Sequence, residues 1–87
     1  MANTFQLEVA TPDRLLVDAQ VTDAELPGKD GYMGILPGHA PLLSVLGMGT
    51  LTYSEGGAKK VLNIEGGLVE VFDDHVRVLA NKAEPAQ

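Results

Sequence analysis

The run Thr4-Phe5-Gln6-Leu7-Glu8-Val9 alternates strictly, with Phe5, Leu7 and Val9 on one face and Thr4, Gln6 and Glu8 on the other. A period of two, not 3.6, marks a half-buried β-strand. Working outward, Thr11, Pro12 and Asp13 make a turn, Leu15, Val17 and Ala19 continue as a second strand, and Val21 to Leu26 form a third. Gly28 to Gly31 reads as a loop and Tyr32 to Leu36 as a short strand. That strand stops at Pro37, which lacks the amide a ladder needs, and at Gly38, which offers a positive φ. Leu42, Leu43, Val45 and Leu46 suit a strand or a helix begun at Pro41, but Gly47 and Gly49 cut the segment too short for a stable helix. A strand is therefore predicted.

Two hairpins follow. Thr50 to Ser54 and Lys59 to Glu65 flank Glu55-Gly56-Gly57-Ala58, and Leu68 to Phe72 and His75 to Ala80 flank Asp73-Asp74. Val69 and Val71 share one face, as do Val76, Val78 and Ala80. Gly66-Gly67 reads as a bulge or tight bend between strands. Short strands at regular spacing, ten glycines, five prolines and no long helix predict an all-β, flattened antiparallel β-sandwich or barrel. One domain over residues 1–80 is expected, with 81–87 as a frayed polar tail.

With 87 residues the chain supports one core that buries roughly 60% of its unfolded surface. Cysteine is absent, which removes disulfides, thiolate metal sites and thiol catalysis. Met1 to Thr4 passes directly into the first strand, so no targeting segment is expected. Ala40 to Leu51 is broken by Pro41, Ser44, Gly47 and Gly49 and falls short of the ~20 apolar residues of a spanning helix, so no direct membrane insertion is expected. Twelve acids against six cations give a net charge of −6, which argues against nucleic acid as a partner.

The search for chemistry is negative. His39 and His75 are the two possible imidazole bases, and neither has a nucleophile or acid motif around it. They lack the spacing of a metal pair, and Asp73-Asp74 reads as a solvated turn. Gly28, Gly31 and Gly34 open no phosphate-binding motif. No catalytic residue, cofactor or metal is predicted, and a binding or structural role is favoured over an enzyme.

The stretch Gly31 to Leu43, G-Y-M-G-I-L-P-G-H-A-P-L-L, resembles the signature of ATP synthase ε subunits. F-Q-L-E-V-A-T-P is similar to that family's first strand and turn, and N-I-E-G-G-L-V-E-V with V-R-V-L-A to its closing hairpin, so the likeness spans residues 4 to 80. It implies a sandwich of about ten strands. It also implies a non-catalytic central-stalk subunit of a proton-translocating F-type ATP synthase. Such a subunit binds γ and the c ring, meets the α/β head indirectly, and transmits rotation as a peripheral protein on the cytoplasmic face of the energy-transducing plasma membrane. Carried over by position, Thr11, His39 and Ser44 face γ, and Lys29, Asp30, Gly31 and Tyr32 face the ring. Tyr32 stands where relatives often carry an acid, so an aromatic contact replaces an ion pair there, unless Tyr32 only caps its own sheet. Many relatives continue into two C-terminal helices that bind ATP or inhibit the head. These residues stop at Gln87, which implies coupling without helical self-inhibition. Two other readings stand beside this one: a stand-alone β-sandwich binding a peptide or small ligand along an edge, and a hydrolase using His39 or His75. His39 is then either an interface residue or a corner histidine bonded within its own domain.

Overall fold

The structure is a computed structural model that describes residues 3–86, and every regular element in it is a strand. The strands are β1 (Phe5–Ala10), β2 (Leu15–Val21), β3 (Asp23–Gly28), β4 (Gly31–Ile35), β5 (Leu42–Glu55), β6 (Ala58–Phe72) and β7 (His75–Pro85). They hydrogen-bond in the order β2-β1-β7-β6-β5-β3-β4. All neighbours are antiparallel except β1 and β7, which run parallel, so the expected antiparallel sandwich is a mixed sheet.

Seven strands replace the expected ten or so because the longest ones serve both layers. The pieces read as 42–46 and 50–54 are one strand, β5, and those read as 59–65 and 68–72 are one strand, β6. Burial shows where they turn. In β6, Leu62 and Ile64 are buried before Gly66, and Val69 and Val71 after Gly67. The same change of phase separates Leu46 from Leu51 and Tyr53 in β5. It also separates Val76, Val78 and Ala80 in β7 from Ala83, which packs on the same core. One extra residue in the alternation bends a strand and returns its apolar side to the core. Layer one thus holds β2, β1, the first part of β7, the second part of β6 and the start of β5. Layer two holds the remainder with β3 and β4.

Gly67 sits on the β6 corner with φ 129°, where a Cβ would lie 2.2 Å from the carbonyl oxygen of Leu79. At the β5 corner, pairing with β3 jumps from Glu25↔Thr52 to Gly28↔Leu46, leaving Gly47 to Gly49 as surplus. Pro27 has no amide to give in that gap. The first strand meets its expectation: Phe5, Leu7 and Val9 are sealed, and with Leu26, Leu51, Ile64 and Val78 they fill the centre. Each such side chain contributes roughly 1.5–3 kcal/mol relative to exposure. Leu15 departs from its expected partners Val17 and Ala19 and is exposed, because the β1–β2 register shifts between Val9 and Ala10.

The polar tail expected over 81–87 is strand as far as Pro85. Asn63 pairs with Glu84 and Ile64 with Ala83, and the Ala86 amide donates to the Val61 carbonyl at 3.1 Å. Ladder pairing satisfies backbone groups whatever side chains they carry, so a segment with only Ala83 to bury still joins the sheet. Gln87 lies outside the described residues.

The corner geometry makes a specific stability prediction. Gly67→Ala must shift backbone and adopt a strained φ, and is expected to lose more than about 2 kcal/mol in urea unfolding. Gly34→Ala, where a Cβ meets nothing within 4 Å, is expected to stay within about 0.5 kcal/mol of the parent.

Candidate partner-binding face

Register determines what the outer side of layer one presents. Ala10 of β1 lies beside Leu79 of β7, Leu79 beside Leu68 of β6, and Leu68 beside Val45 of β5. Leu79, Leu68 and Val45 are 46%, 45% and 49% exposed, which makes one apolar row across four strands. The next row is charged: Glu8, Arg77 and Glu70, ending on Leu43, which is 70% exposed. The third is Gln6, His75 and Phe72. Arg77 Nε lies 3.5 Å from Glu8 and its Nη1 3.6 Å from Glu70, while His75 Nε2–H donates to Glu8. The His75 ring stacks on Phe72 with centroids 5.1 Å apart, and the Arg77 guanidinium sits 5.9 Å from the Phe72 centroid.

Thr11 and His39 bracket this face from opposite ends. Thr11 follows β1 at the apolar row and lines a shallow depression with Leu68 and Leu79. His39 stands at the other end, on a turn in which its amide donates to the Leu36 carbonyl at 3.1 Å. Pro37 and Gly38, the latter at φ 84°, are the two central residues of a type II turn. The Gly38 amide donates to Asp74 Oδ1 at 2.6 Å, which ties this corner to the β6–β7 turn. Asp74 therefore holds a loop and is not merely solvated. Asp73 and Asp74 both have positive φ, 45° and 55°, as a tight primed turn demands. His39 is half-buried, and its Nδ1–H donates to the Ala40 carbonyl at 2.6 Å. That bond fixes the tautomer and leaves Nε2 without a partner among the described residues.

Ser44 is not with Thr11 or His39. It projects on the other side of β5 and shares a depression with Lys29, Asp30 and Gly31, whose loop is pinned by the Lys29 amide on the Val45 carbonyl at 3.0 Å. Tyr32 is 55% exposed, and its hydroxyl accepts the Thr50 amide at 3.0 Å. The break in β3–β5 pairing leaves Thr50 without a ladder partner on that side, and the phenol supplies one. Its ring lies so close over Gly49 that a Cβ there would come 2.4 Å from the hydroxyl. Tyr32 thus caps its own sheet while keeping half its surface outside.

The apolar row escaped sequence reasoning. Leu68 and Leu79 each stand in runs of apolar residues, and only register shows that they face out together. Among the described residues no group of three metal-ligating side chains occurs.

The folded-over sheet is a β-sandwich domain, and solved assemblies contain the same shape. One chain of the cryo-EM structure of the Euglena gracilis mitochondrial ATP synthase, OSCP/F1/c-ring, superposes with a TM-score of 0.90 at 27% identity, covering 98% of this chain and 55% of that one. A chain of the Tetrahymena thermophila mitochondrial ATP synthase central stalk and c ring shares the fold, with a TM-score of 0.79 at 15% identity over 92% of this chain and 65% of that one. Residues 4–86 match the model of the ATP synthase Delta/Epsilon chain β-sandwich domain, and the chain belongs to that family. It is 58% identical over its whole length to the ATP synthase epsilon chain of Solibacter usitatus, and 46% identical over 97% of its length to that of Koribacter versatilis. It spans 65% and 59% of those relatives' own lengths.

The two tyrosines report on opposite environments. The hydrogen bond from Thr50 holds the Tyr32 phenol below its ordinary value, and burial pushes Tyr53 above it. Tyr53 therefore adds stability that is fully present below the unfolded tyrosine value of about 10 and is lost as pH rises through its folded value. Tyrosinate absorbance is expected to rise in two steps, the upper one accompanied by loss of structure. Tyr32→Phe should remove the lower step and speed hydrogen exchange at the Thr50 amide.

Proposed function

We propose that this domain is a non-catalytic part of the rotor of a proton-translocating F-type ATP synthase. The outer face of layer one docks on the γ subunit, and the loop Lys29, Asp30, Gly31, Tyr32 turns to the c ring. The domain meets the α/β head only through γ, carries no cofactor, and works as a peripheral component on the cytoplasmic face of the energy-transducing plasma membrane. The observation that carries this reading is the apolar row Ala10, Leu79, Leu68, Val45, on a face that Thr11 and His39 bracket from opposite ends. A row of this kind gains free energy when covered. The two bracketing residues, which family resemblance assigns to γ, lie at opposite ends of the face that carries the row. Ser44 joins the loop side, where a partner that wraps the free edge of β5 also reaches it.

A second reading, a stand-alone module for a peptide or small ligand, is favoured by one cleft of about 690 Å³ between the starts of β2 and β6. There Arg14, Lys59 and Lys60 rim Leu16, Tyr53 and Leu62. That reading places affinity in the cleft and none on the outer face.

Leu68→Glu and Leu79→Glu separate the two. Both side chains already meet water, so the free domain should keep its fold. Binding to recombinant γ, measured by calorimetry, should weaken at least about tenfold in each, equivalent to about 1.4 kcal/mol. His39→Asp should weaken it as well, and Lys29→Glu should leave it unchanged while loosening association with the c ring. Unchanged γ affinity in both leucine variants would reject docking on this face.

A further inference from the structure

We infer that docking on this face is linked to uptake of one proton by His75; the inference rests on the γ-docking reading above. The face combines an apolar row, which gains from being covered, with a charged row directly beside it, which must then lose water. The ionic groups facing His75 can be counted strand by strand. Glu8 comes from β1 and accepts from His75, Arg77 comes from β7 itself, and Glu70 comes from β6. Beyond them, Asp18 of β2 is held by the Gln6 amide at 2.9 Å, and Asp74 in the β6–β7 turn is held by the Gly38 amide, with Asp73 beside it. In the connected cluster two carboxylates therefore face one guanidinium, and neutral His75 leaves one negative charge uncompensated. Burying an uncompensated charge is costly, and burying a balanced, hydrogen-bonded set is much less so. A proton on His75 turns its bond to Glu8 into an ion pair and brings the cluster to balance without moving any atom of the sheet. Phe72, stacked on His75 and lying under Arg77, keeps both cationic groups over the carboxylates.

The sign follows from linkage. If the complex holds the proton more tightly than the free domain, affinity rises as pH falls, by up to about tenfold per pH unit for one proton taken up.

The test is a calorimetric titration of the full chain with recombinant γ from about pH 6 to about pH 8. It should be repeated in two buffers of different ionisation enthalpy, so that proton uptake is counted directly. The expected result is tighter binding at the acid end and net uptake of up to one proton. His75→Gln keeps a donor for Glu8 but cannot take a proton, and should remove most of the slope. His39→Gln changes the affinity but should keep the slope. Independently of any variant, the His75 imidazole resonances should titrate at higher pH in the complex than in the free domain. Binding without proton uptake, or binding that weakens toward acid, would overturn the inference and leave the docking reading intact. Absence of binding at every pH would overturn both.

Discussion

Three strands of this domain must each serve two layers, and that demand governs the rest of the structure. β5, β6 and β7 leave one layer and enter the other with the core always on their inner side, so each must break its alternation once. The break falls at Gly47 to Gly49 in β5, at Gly66-Gly67 in β6 and just after Ala80 in β7, and the three corners lie side by side along the sheet. A side chain at Gly67 would strike the neighbouring strand at Leu79. The close approach there and the continuity of the core are two descriptions of one packing solution. Tyr32 repairs the cost at the β5 corner, where the ladder fails and an amide is left over.

Folding the sheet this way leaves layer one with an outer side that the core does not need. Its rows are set by register alone, and they sort by chemistry: apolar beside Thr11, charged in the middle, polar and aromatic beside the His39 corner. Such sorting makes the face directional. A partner that matched the apolar row but approached in the opposite sense would press apolar groups onto Glu8 and Glu70, a penalty comparable to the gain from covering the leucines. The orientation of any partner on this face is thus written into the sheet before any loop makes contact.

Much of this was readable from residue order. Alternation in Phe5, Leu7 and Val9, and again in Val69, Val71, Val76 and Val78, located the core strands because period two is a local property. Pro37-Gly38 located the corner that holds His39, and the Gly31 to Leu43 stretch pointed to the family. The continuity of β5 and β6 was hidden because a glycine pair signals a break in propensity, and nothing local distinguishes a turn from a bend. The apolar row was hidden more deeply. It exists only when Ala10, Leu79, Leu68 and Val45, drawn from across the chain, come into register. The parallel pairing of β1 with β7 and the strand character of Asn81 to Pro85 are likewise products of tertiary placement, which overrides a polar and unremarkable composition.

That parallel pair also sets the order in which the domain can be made. Within the domain β1 leaves the ribosome before the other strands, and its neighbour toward the middle of the sheet is β7, nearly seventy residues later in register (Gln6 with His75). Until β7 arrives, β1 and β2 form a hairpin whose β1 edge is still unpaired, and layer one lacks its middle. Loop closure over such a span is slow compared with hairpin formation, and an unsatisfied strand edge invites pairing with a neighbouring chain. The domain therefore reaches its closed form only after nearly all of it has been synthesised, and β1 is the segment for which an early-binding chaperone, or prompt assembly, matters most.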